Sequence, residues 1–142
     1  MSLLRRPRVL IVEDDPDQLV VLQVNLRAAG FETMLAGDGA TALRRIAVER
    51  PDAVVLDVML PGLDGWTVLE ELHRSGDATR VVVCSGSRHP EDRARAERLG
   101  AAAWLVKPFD PQRLVDAAKA AVDRHAGVQT SAVREVPEIG LV

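Results

Sequence analysis

Short apolar runs alternate along this chain with stretches whose apolar positions recur at helical spacing. Residues 9–12, Val-Leu-Ile-Val, form the first continuous apolar run. A β-branched run without polar alternation predicts a strand buried on both faces. Asp15-Pro16 then predicts a helix start, a capping carboxylate followed by the residue whose fixed φ suits the first helical position. Leu19, Leu22 and Leu26 hold one face of that helix, and Gly30 ends it. The same rhythm predicts a strand over 31–36, a helix over 39–50 with Ala42, Leu43 and Ile46 inward, and a strand over 53–56 that delivers Asp57 at its end. Turn chemistry over 61–65 predicts a loop, followed by a helix over 66–73 with Val68, Leu69 and Leu72 as its apolar stripe. A strand over 80–84, a polar loop over 85–90 and a helix over 91–99 stopped by Gly100 come next. A strand over 103–106, a turn at Lys107-Pro108 and a helix over 111–125 complete the pattern.

Five strand–helix units in series predict an α/β, doubly wound parallel sheet with helices on both faces. Crossovers in such sheets are right-handed, and ligands gather where the strands end. A length of 142 residues suits one domain. The pattern places it at 8–125, after a short extension at 1–7 and before a C-terminal tail or linker remnant at 126–142. That tail lacks periodicity and is too short for an output domain.

Composition narrows the function classes. With 47% hydrophobic and 27% charged residues, the chain has the make-up of an ordinary globular protein. A net charge of -3 gives no reason to expect direct nucleic-acid binding or an anionic membrane surface. Cys84 is the one cysteine, so no internal disulfide forms. No apolar stretch is long enough for a membrane helix, and the basic start has no signal-peptide core, so a cytoplasmic location is expected. Of 18 basic residues only Lys107 and Lys119 are lysines. A chain that favours Arg has a reason to keep Lys where it does.

The candidate chemistry lies at the strand ends. The first strand ends at Glu13-Asp14-Asp15, the third at Asp57, the fourth at Ser85-Gly86 and the fifth at Lys107-Pro108. In a doubly wound sheet these residues converge. Like charges about 4 Å apart repel by about 4 kcal/mol at an effective dielectric of 20. Clustered carboxylates of this kind therefore call for a divalent cation, and hard oxygen donors with room for water suit Mg²⁺. Lys107 adds a compact point charge that a planar guanidinium supplies less well. A carboxylate beside a metal and an ammonium can attack phosphorus and become an acyl phosphate, with Ser85 able to hydrogen-bond a transferring oxygen. Such chemistry is mostly positioning and electrostatics, and needs no separate general base. Asp15 is accounted for as a helix cap. His73, His89 and His125 are scattered and suggest no metal site, whereas Arg88, Arg93, Arg95 and Arg98 make the fourth helix region basic, either a solvated face or a docking surface for an acidic partner.

Together these blocks resemble the response-regulator receiver family. Glu13-Asp14-Asp15, the segment from Leu56-Asp57-Val58-Met59-Leu60-Pro61 to Gly65, Ser85-Gly86 and Lys107-Pro108-Phe109 match its four signatures in order, over about residues 7–125. The resemblance implies a flavodoxin-like, CheY-like fold with strand order 2-1-3-4-5. It implies that Asp57 is the phosphoacceptor and that Mg²⁺ (or Mn²⁺) is held by Asp14, by Glu13 through water, by Asp57 and by the backbone carbonyl of Met59. It implies that Ser85 is the switch hydroxyl, that Lys107 pairs with the phosphoryl group, and that the Lys107-Pro108 bond is cis. The implied partner is a histidine kinase or a histidine phosphotransfer protein, with room for a phosphorylation-linked homodimer. The implied activity is self-directed phosphotransfer and slow autodephosphorylation, not turnover of a free substrate. The switch aromatic of the family is usually Tyr, Phe or His and here is Trp104, which either packs partly buried against the fourth helix or serves as a switch.

Three other readings fit less well. A phosphate-independent interaction module would be expected to lose Asp57, Lys107 or the acid pair. A small-molecule phosphohydrolase would need an acid two residues after the nucleophile, where Met59 stands. A flavin or dinucleotide domain would need a G-x-G-x-x-G loop after the first strand, where three acids would repel phosphate.

Overall fold

The structure, a computed structural model, describes residues 5–60 and 64–127, with side chains described up to residue 123. Five strands, β1 (Arg8–Val12), β2 (Glu32–Ala36), β3 (Ala53–Asp57), β4 (Arg80–Ser85) and β5 (Ala103–Val106), form one parallel sheet in the order β2-β1-β3-β4-β5. Helices α1 (Pro16–Ala28), α2 (Gly39–Glu49), α3 (Gly65–Arg74), α4 (Pro90–Arg98) and α5 (Pro111–Gly127) follow the strands in turn. The doubly wound α/β fold and its strand order are thus as expected. Most of the tail anticipated at 126–142 lies outside the described residues, as do positions 61–63 of the anticipated loop, and α5 continues to Gly127.

Alternate strand residues face opposite layers. Leu10, Val12, Val54, Leu56, Val81 and Val83 pack with Ala42, Ile46, Val68, Leu69, Leu72 and Ala96 of α2, α3 and α4. Val9, Ile11, Val55, Val82 and Leu105 pack with Leu22 and Leu26 of α1 and Leu114 and Ala118 of α5. Both faces are covered, which is why the strands read as unbroken apolar runs.

Helix ends follow the capping chemistry of the sequence. Asp15 accepts from the N–H groups of Asp17 and Gln18, Asp38 from Thr41 and Asp64 from Thr67; each such cap is worth about 1 kcal/mol. Gly30, Gly76 and Gly100 follow α1, α3 and α4 with φ of 101°, 72° and 87°, the left-handed geometry of a Schellman close. At the first, Phe31 donates to the carbonyl of Leu26 at 3.1 Å. Phe31 is therefore the lock on α1, not the start of β2. Gly65 opens α3 instead of lying in a loop, because Asp64 caps the helix. Its N–H donates to the carbonyl of Val58 at 3.2 Å, and an added Cβ would overlap the Val58 Cα and the Asp57 carbonyl oxygen. Only glycine lets α3 start so close to the end of β3.

Candidate functional site

The C-terminal rim of the sheet gathers the acids. Glu13 follows β1 and is 3% exposed, Asp57 ends β3 and is 6% exposed, and Asp14 is exposed. One carboxylate oxygen from each lies within 4.8 Å of the others. The Lys107 Nζ, at the end of β5, donates to Glu13 Oε1 and to Asp57 Oδ2, both at 3.1 Å. The Met59 backbone N–H donates to Asp57 Oδ1 at 2.9 Å, so each oxygen of that carboxylate has one fixed donor. The Lys107-Pro108 peptide is cis, and the Lys107 N–H donates to the Ser85 carbonyl at 2.8 Å. That hydrogen bond holds the lysine backbone against the end of β4.

One ammonium bonds two of the three carboxylates, and the electrostatics show the imbalance. Burial, then the Asp57 charge, raise the Glu13 carboxyl above its ordinary range despite the hydrogen bond from Lys107. Burial works against the Lys107 ammonium, yet the Asp57 charge and the bonds to Glu13 and Asp57 hold its pKa above the ordinary value. Cys84, between them on β4, is pushed up to about 12 by burial, so it is an inert packing thiol. Hard oxygen donors close together, one of them open to solvent, fit a small divalent cation.

The other expected positions fall as follows. Ser85 ends β4 instead of opening the loop, is 1% exposed, and its Oγ accepts the Ser87 N–H at 3.0 Å. Met59 is 70% exposed, and its contact with Asp57 is made by the backbone. Trp104 is 1% exposed, more enclosed than the partly buried position anticipated for it, and its ring stacks on Trp66 at 6.2 Å and 29°. Arg95 lies over the Trp66 ring at 4.1 Å and bonds Glu70 at 2.6 Å. Among the described basic residues of α4, Arg95 is thus held in a specific contact instead of a solvated face. Sequence pattern gave Trp66 no role and read Gly65 as turn chemistry, because what each touches is set by tertiary contacts.

Comparison with known proteins now bears on this geometry. Residues 9–119 match the response regulator receiver domain family. The chain is 43% identical over 125 residues to the transcriptional regulatory protein PrrA of Mycobacterium tuberculosis, covering 88% of this chain and 54% of that protein. It is 39% identical over 127 residues to the transcriptional activator protein IrlR of Burkholderia pseudomallei, covering 89% and 55%. Among solved structures, the Francisella response regulator 1452 receiver domain superposes with a TM-score of 0.80 at 29% identity, covering 83% of this chain and 98% of that one. The chain belongs to the response-regulator receiver family, the phosphorylation-dependent input domains of two-component signalling. It spans about half the length of the curated relatives it matches.

Proposed function

We propose that this chain is a phosphorylation switch in which Asp57 takes a phosphoryl group from the phosphohistidine of a histidine kinase or phosphotransfer protein. The observation that carries the reading is the Lys107 ammonium held at 3.1 Å from both Glu13 and Asp57 within the acid cluster. Residues 8–125 form the receiver unit, and a cytoplasmic location suits such a partner. Among the described residues no helix is long and apolar enough to cross a membrane.

The contacts support a role for each residue. The Met59 N–H fixes Asp57 through Oδ1 and leaves Oδ2 on the Lys107 side. Attack by this carboxylate forms an O–P bond and breaks the N–P bond of the donor imidazole, which, already protonated at its other nitrogen, takes back the electron pair and leaves as the neutral ring. Lys107 then pairs with a phosphoryl oxygen, and the Ser85 hydroxyl donates its O–H to another. Glu13, Asp14, Asp57 and the Met59 carbonyl would hold Mg²⁺ (or Mn²⁺), which supplies charge neutralisation and Lewis acidity at the phosphoryl oxygens. Hydrolysis of the acyl phosphate resets the switch, a slow self-directed step and not turnover of a free substrate.

The test is the intact mass after incubation with acetyl phosphate. The expected result is a gain of one phosphoryl group that requires Mg²⁺ and is lost in Asp57→Asn. Absence of any gain in the unmodified chain would replace this reading with the phosphate-independent interaction module.

A further inference from the structure

The helices differ in how firmly they are anchored. Helices α1, α2 and α3 bury two, three and four residues, whereas α4 buries only Ala96. Its N-cap, His89, makes no side-chain cap hydrogen bond. Few buried contacts mark an element that shifts at low cost. Trp104 is the opposite case. It pairs in register with Val83 of β4, is almost fully enclosed, and has the Trp66 ring against it. Large rings in a close-packed core do not turn without a void to enter.

A continuous set of polar contacts joins the site to the loosely held helix. Ser85 Oγ accepts the Ser87 N–H at 3.0 Å, and Ser87 Oγ donates to Asp92 Oδ2 at 2.6 Å while accepting the His89 N–H at 3.1 Å. Asp92 lies in the first turn of α4, and Arg95, on the next turn, caps Trp66 and bonds Glu70 of α3. Resting on the phosphoacceptor reading above, we infer that phosphorylation is transmitted through Ser85, Ser87 and Asp92 to α4, which carries Arg95 off the Trp66 ring while Trp104 stays in place. The signal thus emerges on the α3–α4 surface as an uncovered Trp66 face and a broken Arg95–Glu70 pair. The switch-position aromatic acts as a fixed floor and not as the moving part.

Intrinsic fluorescence tests this, because Trp66 and Trp104 are the two tryptophans of the chain. A cation leaving the face of an indole alters its emission. The protein is loaded with acetyl phosphate and Mg²⁺, with loading followed by intact mass. The expected result is an emission change on loading that is lost in Trp66→Phe, in Arg95→Ala and in Ser87→Ala, although each variant still gains the phosphoryl mass. A change that persists in full in Trp66→Phe would assign the signal to Trp104 and not to the Trp66 face, and would overturn the inference. So would full loading of the unmodified chain with no change in emission. Failure to load at all is a separate result, and removes the phosphoacceptor reading together with the relay built on it.

Discussion

The two rims of the sheet handle charge in opposite ways. At the N-terminal rim four acids are met by arginines: Asp52 accepts the Arg8 N–H at 2.8 Å and pairs with Arg5, Arg8 reaches Glu32 and Glu49, and Arg50 pairs with Asp77. At the C-terminal rim a single described ammonium, Lys107, serves Glu13 and Asp57 while Asp14 stands beside them in the same cluster. The first arrangement costs little and does little, since pairs left partly open to solvent contribute about 1 kcal/mol or less. The second keeps a surplus of negative oxygen that a further cation would relieve. A charge surplus kept in place by a well-packed sheet is what a metal-assisted phosphoacceptor needs.

Substitutions at the two rims should therefore separate. The largest effect is expected for Lys107→Ala, which leaves Glu13 and Asp57 buried without their ammonium. Removing one partner of a buried pair costs about 3–5 kcal/mol, read as a fall in the denaturant midpoint, and phosphoryl gain from acetyl phosphate should drop at least about tenfold, the equivalent of 1.4 kcal/mol in the barrier. Unchanged loading in this variant would mean that the lysine is a structural tie only. Gly65→Ala should come next. Its methyl group would push α3 away from Val58 and Asp57, and a steric intrusion of this kind costs about 1–3 kcal/mol, with loading reduced because the acceptor shifts. Full stability and full loading in the Gly65→Ala variant would contradict the close approach.

Smaller effects belong to the N-terminal rim. Arg50→Ala should lower stability by no more than about 1 kcal/mol and leave loading untouched. At Asp77, burial raises the carboxyl pKa, but the hydrogen bonds from Thr79 and the Arg50 charge outweigh it and hold the group below its ordinary 3.8. A depressed acid stabilises the fold above its ordinary pKa, and that stability is lost as pH falls through the folded value. Asp77→Asn should accordingly cost stability at neutral pH and progressively less at strongly acid pH, measured as thermal midpoints. A cost that does not vary with pH would mean that the loss is one of packing and not of charge.

Much of this is legible in the amino-acid sequence. The buried strands announce themselves as apolar runs because both faces are covered, and the Asp caps and closing glycines mark the helix ends. The four blocks at the strand ends converge because the topology forces them to. What stayed hidden depends on contact across the fold. Gly65 reads as turn chemistry until α3 is seen against β3, and Phe31 reads as strand until its N–H is found on Leu26. Ser87 and Asp92 look like ordinary loop and helix residues. Trp66 carries no signal of its pairing with Trp104, since nothing in the local pattern of α3 specifies what lies opposite it.

The central claim is that the acid cluster of Glu13, Asp14 and Asp57 is a site for a dication. Its most direct measurement is the thermal midpoint of the unphosphorylated chain across a Mg²⁺ titration. A ligand that binds the folded state alone adds about 2.7 kcal/mol of stability at a hundred times its Kd. A dication site predicts a midpoint that climbs with Mg²⁺ in the native chain, with the climb abolished in Asp14→Asn and retained in Arg50→Ala. A midpoint indifferent to Mg²⁺, or a climb that survives Asp14→Asn, would contradict it.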